Sequence, residues 1–319
     1  MPLAPEFASH AYEVRGDQQG TTGMTCGVGG PSVFYGGASL RYRERDFLHD
    51  PAIATNSGAE WPFDYAALEP WYGEAERLLG VTGNESADRI APPRSISLSP
   101  EPPMPPLSRR IAAAARTLGF NPSSLPLAIT WNGDGGRAHC VACSTSDSYA
   151  CAIGAKNDLA TAILPPLLRR GLRLATHLVA RRLETDGRRI TAVECADTRS
   201  GKRHCFTAPC FILAAGALAS PHLVLASGLE RLNPARPHIG RYLMRHCNAT
   251  VVAYFPQPVN DKGGFHKRVV IFDAYFGHRT VRSPEGKLGC IQQVHSPSVR
   301  PSRKCPRGCA RAFPLCSAT

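Results

Sequence analysis

Apolar positions recur along this 319-residue chain in two rhythms, one near 3.6 residues and one of two. In "WPFDYAALEPWYGEAERLLGVTG" the first rhythm holds through Leu68, Trp71, Tyr72, Ala75, Leu78 and Leu79. It predicts a helix with Asp64 as N-cap and Gly80 or Gly83 as its stop. Pro70 is expected to divide it or to sit at the first turn of its second part. "LSRRIAAAARTLGF" predicts a second helix, with Ser108 as cap and Gly119 as stop. "KNDLATAILPPLLRRG" predicts a third, capped at Asn157 or Asp158 and disturbed by Pro165 and Pro166.

The second rhythm begins after Gly171. "LRLATHLVARRLETDGRRITAVECADT" reads as strands joined at Asp186-Gly187, a common hairpin turn. "CFILAAGALASPHLVLASGL" predicts a buried strand, a turn of small residues, and a helix opened by Ser220-Pro221. "ATVVAYF" and "KRVVIFDAYF" alternate like antiparallel strands. Residues 1–25 are polar and weakly patterned, 84–106 read as an excursion loop, and 121–150 read as irregular. No internal repeat interrupts this order.

Composition bounds the class. Hydrophobic residues make up 43% and charged residues 19%, as in globular domains, and the length suits about two domains. No run of 18 apolar residues predicts a membrane span, and the opening "MPLAPEFASHAYEVRGD" lacks the apolar region of a secretory signal. A cytoplasmic location is the expectation. The net charge of +12 includes Arg300, Arg303, Lys304, Arg307 and Arg311; without those five it is +7 and scattered. No nucleic-acid-binding motif accompanies it, which sets that function class aside. Residues 296–319 are rich in Pro, Arg, Cys and Ser and lack periodicity. A disordered tail and an off-frame translation of GC-rich DNA both give that composition.

Twelve cysteines with irregular spacing do not form a secreted disulfide frame in a chain this long. Cys195, Cys205 and Cys210 lie in or beside apolar runs and are read as packing residues. Cys140 and Cys143 form a C-x-x-C, with Cys151 nearby and Ser146 between. Thiolates in that pattern suit zinc or an iron–sulfur cluster, a three-iron cluster if three ligate; a disulfide and free thiols are the other readings. No metal ligand is assigned from them. Cys305, Cys309 and Cys316 mimic a metal site without a supporting pattern.

The stretch "GVGGPSVFYGG" fits the dinucleotide pattern G-x-G-x-x-G with Ser32 in the last place. That pattern needs a buried strand before it and a helix after it, whose N-terminus meets the pyrophosphate. "TTGMTC" is a poor buried strand, and "VFYGGASLRYRERDF" a poor helix start. The Rossmann reading of this loop therefore fails on context. Arg41 and Arg43 either order the loop that follows or lie in solvent.

Several stretches, in order, resemble the glucose–methanol–choline oxidoreductases, a flavoprotein family. "GVGGPSVFYGGASLRYRERDF" resembles its second glycine loop, with Pro31 replacing the first Ser of Gly-Gly-Ser-Ser. "WPFDYAALEPWYGEAERLLGVTG", "CAIGAKND", "FILAAGALASPHLVLASGL" and "IGRYLMRH" resemble later segments, with Glu230 standing where a Gly usually ends the second motif. The match covers residues 26–295. Nothing before Gly27 resembles the family's first strand and true G-x-G-x-x-G, and the catalytic His pair has no match here.

The resemblance implies an α/β fold, α+β overall: an incomplete FAD/NAD(P)-binding Rossmann-like domain with an antiparallel-sheet substrate domain. The FAD-binding part would be 20–50 and 151–246, with a helical and loop excursion at 51–150 and the start of the substrate domain at 247–295. It implies FAD as cofactor, hydride transfer from an alcohol or sugar CH–OH to the flavin, a small alcohol or sugar substrate, and an electron-acceptor protein as a candidate partner. Gly29, Gly30, Ser32, Tyr35 and Gly36 would approach the FAD. Ala180 would read the adenine through its backbone, and Ala215 and Gly216 would form the turn near the pyrophosphate. His246 and Asn248 form an H-x-N, but the resemblance puts His246 at a domain junction, so the catalytic residues stay unassigned. The rival reading is a non-catalytic fragment or an interaction module with a cysteine-bound metal.

Overall fold

A computed structural model describes residues 8–14, 20–48, 60–84, 86, 88–133, 136–143, 149–244, 248–251, 253, 267–277 and 287–294. His246 and the tail 296–319 lie outside these. The chain forms two compact units. The first comprises the described residues from Gly29 to Arg170 and from 267 to 294; the second comprises those from Ala8 to Val28 and from 171 to 253. Helices are mixed with sheets, and among the described residues the paired strands run antiparallel.

In the first unit, helix α1 (Tyr65–Leu79) starts and stops where its pattern predicts. Asp64 accepts a hydrogen bond from the Ala67 amide at 2.9 Å, and Gly80 closes the helix at φ 56°. Pro70 lies inside it without breaking it. The inward face differs from the apolar stripe: Trp71 is 70% exposed and Leu78 51%, while Tyr65 and Gly73 are buried. Helix α2 (Pro106–Thr117) begins earlier than its pattern predicts, because Pro106 at its first position has no N–H to satisfy. Ser108 is therefore not a cap. It is fully buried within the helix and donates to Gln293 Oε1 at 2.9 Å. The third helix opens with a π-helical turn, Leu159–Ile163, and continues as α3 (Leu164–Arg169), carrying both prolines. Asp158 is its cap, accepting from the Thr161 amide at 2.9 Å.

The core of this unit comes from the stretch that sequence reads as irregular. Strand β3 (Val81–Thr82) pairs with β5 (Leu127–Ala128), and β4 (Pro122–Ser124) pairs with β9 (Val269–Ile271), which also pairs with β10 (Ile291–Gln292). Leu125, Leu127 and Ile129 pack with Val270 and Phe272. Strands of two or three residues interrupted by Pro122 and Pro126 are too short to reveal a period. β9 is buried on both faces. Val269 and Ile271 pack against Ala112 and Ala115 of α2, and Val270 packs into the cluster around Leu125. The alternation in "VVIF" thus sorts two apolar faces rather than core from solvent. It also places part of the 247–295 stretch in one sheet with part of 51–150.

In the second unit, β6 (Leu178–Thr185), β7 (Ile190–Asp197) and β8 (Arg203–Thr207) form one sheet in that order. The Asp186-Gly187 turn forms as predicted. Asp186 Oδ1 accepts from the Arg188 and Arg189 amides, and Gly187 takes φ 89°. Strands β1 (Ala8–Val14) and β2 (Gly20–Cys26) form a separate antiparallel pair. A strand therefore does precede the glycine loop, but the element after it is a single 3-10 turn, Gly30–Val33, so the dinucleotide context remains absent.

Two expectations fail around helix α4 (Gly216–Ala226). It opens at Gly216 rather than at Ser220-Pro221: the Ser220 hydroxyl instead accepts from the Ala215 amide at 3.1 Å. The segment before it is not a buried strand, because no described strand pairs with it, and Ile212 is 88% exposed. Cys195 is buried, but Cys205 and Cys210 are exposed and do not pack a core. An isolated exposed apolar side chain contributes little to folding. Ile212→Lys is expected to shift the urea midpoint by less than about 0.5 kcal/mol equivalent while slowing aggregation in light scattering. A large loss of stability would mean that Ile212 is covered in solution.

Candidate functional site

The glycine loop lies in the first unit, seated on a segment more than 120 residues later. Gly29, at φ 86°, lies so close to Ala160 that an added Cβ would sit 2.8 Å from the Ala160 Cβ and from Val33 Cγ2. The Ser32 hydroxyl donates to the Gly29 carbonyl at 2.6 Å and accepts from the Leu159 amide at 3.2 Å. The Tyr35 hydroxyl donates to the Asn157 carbonyl. Lys156, buried, donates from Nζ to the Tyr35 carbonyl at 2.7 Å and to the Tyr149 carbonyl at 2.6 Å. Burial, and secondarily the Asp158 carboxylate, push the Tyr35 phenol up to about 12.

Asn157 ties this seat to the unit. Its side-chain amide donates to the Leu79 carbonyl at the end of α1 at 2.8 Å, and its Oδ1 accepts from Thr130 Oγ1 at 3.0 Å. Arg137 donates to the Thr161 and Gly154 carbonyls on either side. Asp158 is 1% exposed, and its second carboxylate oxygen, Oδ2, has no hydrogen-bond partner among the described residues. A buried acceptor of this kind is ordinarily met by a donor.

After the loop the chain is pinned by arginines. Arg41 and Arg43 are buried at 3% and 2% exposure, which rules out their surface reading. Arg41 is held by Glu76 through two bonds of 2.9 and 2.7 Å, by Glu69 at 3.0 Å and by the Tyr65 hydroxyl at 2.8 Å. The inner face of α1 is thus polar because it grips Arg41. Glu69 accepts from the Ser95 amide, then from Arg41 and the Ser95 hydroxyl, and these bonds hold its carboxyl at about 2, against an ordinary 4.5. A lowered native value stabilises the fold above the ordinary value, and that contribution is lost as pH falls from 4.5 toward 2. Glu69→Gln is expected to flatten the acid limb of stability in that window, measured as urea midpoint against pH. An unchanged limb would show that other carboxylates govern it.

FAD has a dianionic pyrophosphate and a flat ring system, so it needs close backbone approach and donors. Gly30, at φ 58°, faces open space, and so does Gly216, at φ 79°. Gly216 opens an 11-residue helix whose first amides lack intrahelical partners. Gly36 is half-buried, and Ala180 is exposed on β6 next to a register shift. Each unit by itself presents backbone of the kind FAD needs, Gly30 in the first and the helix start at Gly216 in the second, while the Ser32 and Tyr35 hydroxyls donate within the loop's own seat. Gly29, Gly30, Ser32, Tyr35 and Gly36 come together in the first unit; Ala180, Ala215 and Gly216 belong to the second. Sequence quoted Lys156 only within "CAIGAKND" and read Asn157 only as a candidate helix cap, so their part in seating the loop was not foreseen. Their signal was three consecutive polar residues, "KND", directly before an apolar run.

Among the described residues no group of three or more His, Cys, Asp or Glu side chains is placed to hold a metal ion, and Cys140, Cys143 and Cys151 form no disulfide. No helix among them is long and apolar enough to cross a membrane.

Residues 14–248 match the family model described as GMC oxidoreductase. The chain belongs to the GMC oxidoreductase family, the glucose–methanol–choline flavoproteins. It is 37% identical over 212 residues to 6'''-hydroxyparomomycin C oxidase of Streptomyces lividus, covering 66% of this chain and 39% of that protein. It is 35% identical to paromamine 6'-oxidase of Streptomyces fradiae, covering 66% and 38%. It is 30% identical to the fructose dehydrogenase large subunit of Gluconobacter japonicus, covering 76% and 45%. The match thus spans less than half the length of each of these relatives.

Proposed function

We propose that this chain forms part of an FAD-dependent oxidoreductase that removes a hydride from a CH–OH carbon of an alcohol or sugar. The observation that carries the reading is the family match over residues 14–248, together with a glycine loop presenting an open Gly30. Two relatives are named as oxidases of 6'''-hydroxyparomomycin C and of paromamine, which favours a hydroxyl of a substrate related to these. When bound, FAD would supply the hydride acceptor, and the protein supplies position and charge. Gly29, Gly30, Ser32, Tyr35 and Gly36 form the loop against which the cofactor lies. Gly30 gives the close approach, while Gly29, Ser32 and Tyr35 fix the loop's shape. Ala180 offers backbone to the adenine, and Ala215 and Gly216 offer a helix N-terminus to the pyrophosphate, in an incomplete Rossmann-like domain. An electron-acceptor protein is the proposed partner.

The test is flavin titration. Purified chain added to FAD is expected to quench flavin fluorescence saturably, and bound flavin to bleach without air when an alcohol or sugar is added. Gly30→Val is expected to weaken binding at least about tenfold, since a branched side chain fills the open face and disfavours positive φ. A colourless chain that cannot be loaded overturns the proposal.

A further inference from the structure

The geometry points to Lys156 as a positioning residue for the cofactor loop. This inference rests on the FAD reading above and deepens it. Lys156 is 2% exposed, and a buried ammonium is costly unless its protons are accepted. Two of them go to backbone carbonyls, those of Tyr35 and Tyr149, at 2.7 and 2.6 Å. The first belongs to the glycine loop, and the second is six residues beyond Cys143 in sequence. A charge-assisted bond to a carbonyl is stronger than a neutral one. One side chain thus fastens two loops that are far apart in sequence.

Its neighbours complete the fastening through backbone groups. The next residue's carbonyl receives the Tyr35 hydroxyl, and the amide two residues beyond that donates to Ser32 Oγ. Lys156 Nζ also lies 5.8 Å from the centre of the Tyr35 ring. Tyr35 is therefore held at both ends, its carbonyl by Lys156 and its hydroxyl by the Asn157 backbone. Gly30 projects from the loop so fixed, with nothing within 4 Å of where its Cβ would stand. Lys156 does not contact the cofactor in this account. It sets the backbone that does.

Hydrogen exchange and FAD titration on the same variants test this. Lys156→Met is expected to speed exchange of amides 29–36 at least about tenfold while leaving Val269–Ile271 unchanged, and to weaken FAD binding by a similar factor. The visible spectrum of the bound flavin should change shape as well, which a purely structural role would not require. Tyr35→Phe keeps the packing and removes one bond, so a change of about threefold in the same direction is expected. Lys156→Gln, which keeps a donor and drops the charge, serves in the same two measurements if Lys156→Met does not fold. Exchange that rises equally in the loop and in the core strand, or a loosened loop with unchanged FAD affinity, overturns the proposal. A wild-type chain that takes up no FAD would defeat the flavin reading itself. Loop exchange in the variants would then still decide whether Lys156 holds the loop.

Discussion

Gly29→Ala is expected to destabilise the protein by about 3 kcal/mol, several times the effect of Gly30→Ala one residue on. Both glycines take positive φ, 86° and 58°, so both substitutions carry backbone strain of about 1 kcal/mol. Only at Gly29 does the new methyl meet protein. Ala160 Cβ and Val33 Cγ2 would be 2.8 Å away, and the Ala160 backbone nitrogen 3.0 Å. A backbone atom and a methyl fixed on a helix cannot swing aside, so either the loop or the helix start must move. Urea unfolding followed by circular dichroism measures both variants. Equal effects would show that the loop is not seated on Ala160 in solution. The same pair separates two uses of glycine, one for packing and one for open approach.

Arg43→Met is expected to cost about 4 kcal/mol, and Asp88→Leu a similar amount, with the double variant recovering much of the loss. Arg43 donates from Nη2 to Asp88 Oδ2 at 2.5 Å, both side chains are inaccessible, and the guanidinium lies 3.9 Å over the Phe272 ring. Removing either partner leaves a buried charge, whereas removing both leaves none. Burial dominates at Asp88: it pushes the carboxyl above its usual range, although Arg43 pulls the other way. A raised native value means that the folded state holds this proton more tightly, so the contribution of Asp88 declines as pH rises above 3.8. Thermal unfolding of the four proteins in a double-mutant cycle decides the matter. Additive losses would mean that the pair is not coupled.

The local chemistry of the chain was legible where a single short segment settles its own shape. Asp64 with Gly80, and Asp186 with Gly187, needed only a cap, a stop or a turn, and these formed as the residues predict. The family was legible too, because its motifs are spread in order along the chain, and residues 14–248 bear it out. Elements whose reason lies elsewhere in the chain were not legible. β4 and β5 are strands because β9 and β3 lie beside them, and no property of "NPSSLPLA" requires it. The polar inner face of α1 exists for Arg41, 24 to 35 residues away.

The candidate site divides in the same way. Sequence alone determined that a glycine loop stands at Gly27 to Gly37, that its context is not the dinucleotide fingerprint, and that the chain is a GMC relative. Only tertiary structure decided which glycine is filled and which is open, since Gly29 and Gly30 are adjacent in sequence but have different neighbours in space. It alone buried Lys156 beneath the loop and Arg41 and Arg43 beyond it. The physical reason is common to all of these. Caps and turns are satisfied by atoms a few residues away, whereas a buried charge or a tight contact is explained by whatever the fold brings to it from far along the chain.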